Sequence, residues 1–114
     1  MADCIFCKIV KKEIPSEVLY EDEEVLAFKD INPVAPVHVL VIPKKHLISV
    51  NDLVDQDVSL IGNIFIVIKK LAAQLGIAES GFRVVTNTGP DSGQVVGHLH
   101  FHLIGGKSLG VKIG

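Results

Sequence analysis

The stretch that most constrains the fold of this chain lies near its end, where polar and apolar side chains alternate strictly. It reads HLHFHLI over residues 98–104. Successive side chains of a β-strand point to opposite faces of a sheet. We therefore predict a strand over 98–104 that presents a row of imidazoles from His98, His100 and His102. The apolar residues between them would pack on a core.

Four more strands and one helix are predicted from the rest of the chain. Runs rich in β-branched and aromatic residues, bounded by turn residues, predict strands over 16–22, 23–30, 37–43 and 81–87. Apolar residues recur at three- and four-residue steps from about Asp55 to Leu75, which predicts a long helix. Asp55 or Asp57 can cap its start, and Gly76 stands where a C-terminal cap belongs. One long helix among closely spaced strands predicts an antiparallel α+β fold, with residues 1–114 as a single domain.

Charge and hydropathy exclude several classes of protein. The 11 lysines and arginines are scattered or paired, and the net charge is −2, which argues against binding of nucleic acid or of a membrane surface. The longest apolar run, LIGNIFIVI at 60–68, is interrupted by Asn63 and falls short of the roughly 20 residues that a membrane-spanning helix needs. The first residues, MADCIFCKIVKKE, carry charges too early for a signal peptide. We expect a cytoplasmic protein.

The predicted helix is more apolar than packing on one sheet requires. Leu60, Ile66 and Val67 widen its apolar face, and 48% of the chain is hydrophobic. A helix that is apolar on more than one side is usually buried on more than one side. Excess apolar surface is often covered in an oligomer. We therefore expect a homodimer that buries this helix between two copies.

A row of three imidazoles allows two kinds of chemistry. Histidines two apart on a strand can share a zinc ion. Alternatively, a neutral imidazole offers a lone pair near pH 7, and Nε2 becomes a nucleophile when Nδ1–H is tied to a carbonyl. The preceding loop, TGPDSGQVVG at 88–97, has no Walker sequence. It is either a plain hairpin connection or a turn that points backbone N–H groups at an anion. Placed before three histidines, it favours phosphate chemistry.

The two cysteines leave a further question open. Cys4-x-x-Cys7 supplies half of a zinc site. In a cytoplasmic chain two cysteines are thiols or metal ligands more often than a structural disulfide. Spacing alone does not decide between thiols and metal ligands.

The row of histidines resembles the signature of the histidine triad (HIT) superfamily, in which three histidines alternate with apolar residues and two apolar residues close the motif. The resemblance covers nearly the whole chain. The segments CIFCKIVKKEIPSEVLYEDEEVLAFKDINPVAPVHVLVIPKKH and VVTNTGPDSGQVVGHLHFHLIGG are similar to the two halves of its nucleotide-binding branch. It implies an α+β, HIT-like fold with a five-stranded antiparallel sheet, one long helix and a short N-terminal helix. Two such subunits would form a dimer with a ten-stranded sheet.

The resemblance also implies a reaction. Members of this branch bind purine nucleotides and cleave nucleoside 5′-phosphoramidates at the P–N bond, through a covalent nucleotidyl-histidine, to a monophosphate of the AMP or GMP type and an amine. By this resemblance His100 attacks the α-phosphorus. His102 and His98 stabilise phosphate oxygens and the charged imidazole, and His38 supports them. No cofactor is expected for catalysis. A dinucleoside polyphosphate hydrolase or nucleotidyl transferase, or a nucleotide-binding scaffold with incidental catalysis, remain alternatives.

The same resemblance assigns binding roles outside the triad. Asp30 would accept the ribose hydroxyls. The residues expected around the phosphate are Asn87, Gly93, Gln94 and Val95, with Gly93 and Val95 acting through backbone N–H groups. The residues expected to clamp the base, which could equally be ordinary core residues, are Phe6, Ile9, Phe28 and Ile31.

Some microbial members complete a zinc site with a histidine after a Pro-Lys segment and with the first histidine of the triad. The corresponding residues are His46 and His98, so the resemblance implies a structural zinc ion on Cys4, Cys7, His46 and His98. The chain departs from the branch at Val95, where a serine is common, and in its tail KSLGVKIG, which lacks a tryptophan. A serine hydroxyl could help to protonate an amine leaving group, so the first departure leaves the rate of phosphoramidate cleavage open. The second leaves the selectivity for the leaving group open.

Overall fold

Five antiparallel strands form one sheet in the computed structural model, which describes residues 4–114. The strands are β1 Val18–Glu21, β2 Val25–Lys29, β3 Val37–Pro43, β4 Phe82–Val85 and β5 Phe101–Gly105. Their order in the sheet is β1-β2-β3-β5-β4. A short helix, α1 Ile5–Val10, precedes the sheet, and a long helix, α2 Val58–Gln74, connects β3 to β4. The predicted α+β fold, with its two helices, is confirmed.

The strand order brings together histidines that are far apart in the sequence. Strands β3 and β5 are neighbours at the centre of the sheet, and Leu40 pairs with His102 while His38 pairs with Ile104. Because residues two apart on a strand share a face, His38 and His102 lie on the same face of the sheet.

Each face of the sheet is covered by one helix. Helix α2 packs on the face that carries Val39, Val41 and Leu103, whereas α1 packs on the face that carries Leu40 and Ile42. A strand buried on both faces needs a continuous apolar run rather than alternation, which explains the sequence VHVLVIP of β3. The histidines of the row therefore lie on the side that α1 covers.

The ends of α2 fit the prediction in part. The helix begins at Val58 after a 3₁₀ turn over Asp55–Asp57 and ends at Gln74. Gly76 follows with φ +75°, the left-handed conformation expected of a C-terminal cap. Asp57 stands at the N-cap position, as predicted, but its carboxylate makes no capping hydrogen bond and accepts from Val54 N–H and Lys45 Nζ instead.

Part of α2 presents apolar side chains to the surface. The exposed fractions are 72% for Val58, 48% for Phe65 and 51% for Ile66. This pattern accords with the excess apolar surface noted in the sequence, and pairing of two copies through this helix stays a prediction. None of the helices in residues 4–114 combines the length and the apolarity needed to cross a membrane.

The predicted strand bounds are confirmed for β3 and are too generous for the other strands, most of all for β5. Strands β1, β2 and β4 are shorter than predicted by one or two residues at each end, whereas β5 begins at Phe101 rather than His98 and ends one residue later than predicted, at Gly105. Pairing with β3 stops where Val41 meets Phe101. The next residues of β3 run to Pro43, which has no N–H to offer a ladder. The chain therefore bends over residues 96–98 before it joins the sheet.

Candidate active site and candidate metal centre

A cavity of about 520 Å³ lies on the α1 side of the sheet, beside the start of β5. His100 and His102 line it, and so do Asp30 and Asn87. A larger hollow of about 720 Å³ lies between residues 76–83 and 106–111, but no histidine lines it. Since the smaller cavity collects the candidate reactive groups, it is the candidate active site.

Helix α1 supplies the apolar wall of this cavity. The Phe6 ring meets three other rings edge to face, at centroid distances of 5.6 Å to Phe28, 5.2 Å to His100 and 5.9 Å to His98. Phe6, Ile9 and Phe28 are buried and belong to the core on this side, yet they also line the cavity. Ile31 lines its mouth and is 88% exposed. All four residues predicted around the base therefore meet at one cavity.

The hydrogen bonds of His100 leave one nitrogen free. Its Nδ1 lies 2.6 Å from the carbonyl oxygen of His98. Because a carbonyl only accepts, Nδ1 carries the proton and the lone pair of the neutral ring lies on Nε2. His100 is buried except for the edge that lines the cavity. This is the tautomer that nucleophilic attack by Nε2 needs.

His38 and His102 have the opposite tautomer. The Val34 N–H donates to His38 Nδ1 at 3.2 Å, so the proton of the neutral His38 ring lies on Nε2. His38 Nε2 lies 2.9 Å from His102 Nδ1 and 3.4 Å from an oxygen of Asp30. His102 Nδ1 therefore accepts, and the His102 proton lies on Nε2. Val34 was missed in the sequence, since a backbone N–H leaves no mark in side-chain patterns.

His102 is held neutral by its surroundings. Burial lowers its pKa to about 4, and the neighbouring His100 and His38 act in the same direction, against the Asp30 carboxylate. Near pH 7 the ring is then a neutral N–H donor at the cavity rather than a cation.

His98 points away from the cavity. Its side chain is 0% exposed, and Nε2 donates to the Pro43 carbonyl at 2.8 Å. Burial lowers the pKa of His98, and the nearby His46 and His100 lower it further, against the effect of the bond to Pro43. Nδ1 of His98 thus carries a lone pair, and it faces the thiols of α1 rather than the place of a phosphate.

Four candidate metal ligands surround that lone pair. They are Cys4, Cys7, His46 and His98, and their ligand atoms all lie within 4.8 Å of one another. His98 Nδ1 lies 3.3 Å from Cys4 Sγ, 3.6 Å from Cys7 Sγ and 3.2 Å from His46 Nδ1, while Cys7 Sγ lies 3.1 Å from His46 Nδ1. Tetrahedral zinc with ordinary bond lengths needs about 3.3–3.6 Å between such atoms. The donor set and its spacing fit a zinc ion.

A second group of possible ligands fits a metal less well. Asp30, His38 and His102 also bring their ligand atoms within 4.8 Å. However, the Val34 N–H on His38 Nδ1 places a proton on Nε2, which is the atom that faces the other two groups. A metal ion would have to displace that proton. This group is therefore better suited to moving and holding protons.

The glycine-containing loop is held by the side chain of Gln94, one of the residues that the resemblance places around the nucleotide. Gln94 Oε1 accepts from Gly89 N–H at 2.8 Å, and its Nε2 donates to the carbonyls of Ile48 at 2.7 Å and Val96 at 3.0 Å. This leaves the main chain of Gln94 for any phosphate. Gln94, Gly93 and Val95 all line the cavity, and Val95 is 93% exposed.

Thr86 is a further residue at the site that the sequence pattern did not reveal. It follows β4 directly, and its Oγ1 donates to the His100 carbonyl at 2.8 Å. A threonine at a strand end is too ordinary to attract notice in a sequence. Only the fold shows which carbonyl its hydroxyl reaches.

The fold and the site define a class of protein: a single-sheet α+β domain with a row of histidines, in which one buried imidazole turns a free Nε2 toward a cavity. The HIT domain family model matches residues 11–109, and the chain belongs to that family.

Known members of the family are similar over most of their lengths. The chain is 45% identical over 108 residues to the purine nucleoside phosphoramidase of Escherichia coli, covering 95% of this chain and 91% of that protein. The HIT family hydrolase from Clostridium thermocellum has 50% identity and a TM-score of 0.96, with 99% and 98% of the two chains covered. The histidine triad nucleotide-binding protein from Candida albicans has 42% identity and a TM-score of 0.86, with 98% and 83% covered.

Proposed function

We propose that this protein is a purine nucleotide-binding hydrolase that cleaves nucleoside 5′-phosphoramidates at the P–N bond. The observation that carries the proposal is the tautomer of His100, which turns an unprotonated Nε2 toward the cavity. The similarity to a purine nucleoside phosphoramidase and to a HIT family hydrolase supports the same reaction class.

In the proposed first step, His100 Nε2 forms a bond to the α-phosphorus while the P–N bond breaks, and the leaving nitrogen takes a proton from water and departs as the amine. The ring then carries a positive charge. Its Nδ1–H already donates to the His98 carbonyl, whose partial negative charge favours that cation. In the second step water attacks the phosphorus, the bond to Nε2 breaks, and the monophosphate leaves.

The neighbouring groups would stabilise the charge that develops on the phosphate. His102 would donate Nε2–H to a phosphoryl oxygen, and its proton is held there by the chain of hydrogen bonds that starts at Val34. Asp30 would accept the ribose hydroxyls, while Asn87 and the backbone N–H groups of the loop would bind the phosphate. The apolar wall formed with Phe6 would contact the base.

We also propose that Cys4, Cys7, His46 and His98 bind a structural zinc ion. With these four ligands the ion would cross-link the N-terminal segment to the sheet. The hydrogen bond from His98 Nε2 to Pro43 supports this assignment, since metal-ligating histidines usually donate their other N–H to an acceptor. Metal analysis of protein purified without chelator should find about one zinc ion per chain. Protein that contains no zinc and titrates with two free thiols would instead favour S–H hydrogen bonds to the two imidazoles.

Two copies of the chain are proposed to pair through α2, and the protein is proposed to act in the cytoplasm. The exposed apolar residues of α2, which include Val58 and Phe65, support the pairing. Light scattering should then give twice the chain mass of 12.3 kDa.

The proposed reaction is tested with His100→Ala. This variant loses the nucleophile but keeps the apolar wall and the loop, so we expect cleavage of adenosine 5′-phosphoramidate to be abolished while AMP still binds. Turnover at the wild-type rate would refute the role of His100. Faster cleavage of a diadenosine polyphosphate would favour a dinucleoside polyphosphate hydrolase. Tight AMP binding without turnover of any substrate would favour a nucleotide-binding scaffold.

A further inference from the structure

The segment that leads into His100 lies outside the β-ladder. Strand β5 starts one residue after His100, so ladder hydrogen bonds do not fix the segment that carries the proposed nucleophile. Individual contacts hold it instead. Leu99 N–H donates to the Leu47 carbonyl at 2.6 Å, and His98 Nε2 donates to the Pro43 carbonyl. The direction of the His100 ring therefore depends on a few separate hydrogen bonds.

Thr86 contacts the main chain of the proposed nucleophile, His100, directly. The last backbone pair between β4 and β5 joins Val85 to His102. Beyond this pair, the Thr86 hydroxyl donates to the His100 carbonyl at 2.8 Å. This side-chain hydrogen bond stands where the backbone hydrogen bonds between the two strands have ended. The ring of His100 is held separately, through Nδ1–H on the His98 carbonyl. His100 is thus fixed at its main chain and at its ring, and Nε2 is left for the cavity.

We propose that Thr86 is a positioning residue for nucleophilic attack: its hydroxyl fixes the main chain of His100 so that Nε2 faces the α-phosphorus. This inference rests on the proposed function. Thr86 lies outside the lining of the cavity, whereas the next residue, Asn87, is part of that lining. Thr86 therefore acts through His100 and makes no contact with the nucleotide.

Loss of the hydroxyl should slow the chemistry and leave nucleotide binding unchanged. A displacement of about 1 Å in a reacting group can cost about a hundredfold in rate. We expect Thr86→Val to lower kcat about ten- to a hundredfold on that basis. Valine has nearly the shape of threonine and suits the end of a strand, so the fold should persist. Because Thr86 does not line the cavity, the Kd for AMP should stay at the wild-type value.

The experiment compares wild type, Thr86→Val and Thr86→Ser on adenosine 5′-phosphoramidate. Three quantities are measured for each protein: kcat, the Kd for AMP by calorimetry, and the rate at which the covalent adenylyl-protein forms by rapid-quench mass spectrometry. Thr86→Val should form the covalent species slowly and bind AMP normally. Thr86→Ser keeps the hydroxyl and should recover most of the wild-type rate, which a role in packing alone would not predict.

Three outcomes would overturn the inference while the proposed function stands. They are equal kcat in wild type and Thr86→Val, a slow variant that serine does not rescue, and a slow variant that binds AMP more weakly. If Thr86→Val does not fold, Thr86→Ala replaces it in the same comparison. A wild-type protein that cleaves no phosphoramidate would refute the proposed function itself, and the inference with it.

Discussion

The neutral state of His102 has a measurable cost in stability. Its pKa is about 4 in the folded chain, chiefly because the ring is buried, with His100 and His38 adding to the effect. The pKa of an unfolded histidine is about 6.5. Between these two values the unfolded chain binds more protons than the folded chain, so the free energy of unfolding falls as the pH decreases from 6.5 to 4.

The size of this effect follows from the two pKa values. Protonation of His102 in the unfolded chain contributes almost nothing at pH 7 and lowers the free energy of unfolding by about 2 kcal/mol at pH 5. The full effect below pH 4 would approach about 3 kcal/mol. His102 is partly exposed, so we take about 1–2 kcal/mol as the expected loss between pH 7 and pH 5.

Urea unfolding at pH 7 and pH 5 measures this loss, with His102→Gln as the control. Glutamine has no proton to take up in this range, so the variant should lose about 1–2 kcal/mol less than wild type between the two pH values. The comparison cancels the contributions of the histidines that make no contact with His102, including His98. Equal losses in the two proteins would contradict the reasoning. So would a ring-nitrogen NMR titration that places the pKa of His102 near 6.5.

Two further predictions concern residues that support the fold, Asp22 and Cys7. Burial would raise the pKa of Asp22, but hydrogen bonds from Glu24 N–H, Tyr20, Asn63 and Val25 N–H outweigh it and lower the pKa to about 2. The resulting stability is present above about pH 3.9 and is lost as the pH falls toward 2, so Asp22→Asn should cost about 1–2 kcal/mol at pH 7 in urea unfolding. An unchanged midpoint would exclude this role. The second prediction concerns the thiols. The Cys7→Ser variant should purify with far less zinc than wild type and should melt at a lower temperature. Equal zinc content in the two proteins would count against the metal centre.

The sequence predicts on which face of the sheet each histidine lies, but it does not predict which group each ring hydrogen-bonds. The period of two predicts that the three histidines share one face, and His100 and His102 do line the same cavity although β5 begins later than expected. The start of β5 depends on Pro43, which has no N–H to pair with it. Pro43 belongs to β3 and lies opposite the histidine row only in the folded sheet. Sequence periodicity describes one segment at a time, so it cannot indicate where pairing with a distant segment stops.

Gln94 shows a second limit of sequence patterns. The family resemblance places Gln94 at the nucleotide, and the residue does line the cavity. Yet its amide spans the loop and the Ile48 carbonyl, three contacts that depend on tertiary structure. A polar side chain in a binding loop can bind the ligand or hold the loop, and the sequence is the same in both cases.

The backbone explains how three histidines within five residues come to have different chemistry. His98 donates Nε2–H to Pro43 and so keeps its lone pair on Nδ1, facing the thiols. His100 donates Nδ1–H to the His98 carbonyl and keeps its lone pair on Nε2, facing the cavity. His102 accepts at Nδ1 from His38 and presents an N–H. A neutral imidazole has one proton and one lone pair, so fixing one nitrogen fixes the other. The row therefore gives one candidate metal ligand, one candidate nucleophile and one donor, because three different partners fix the three rings.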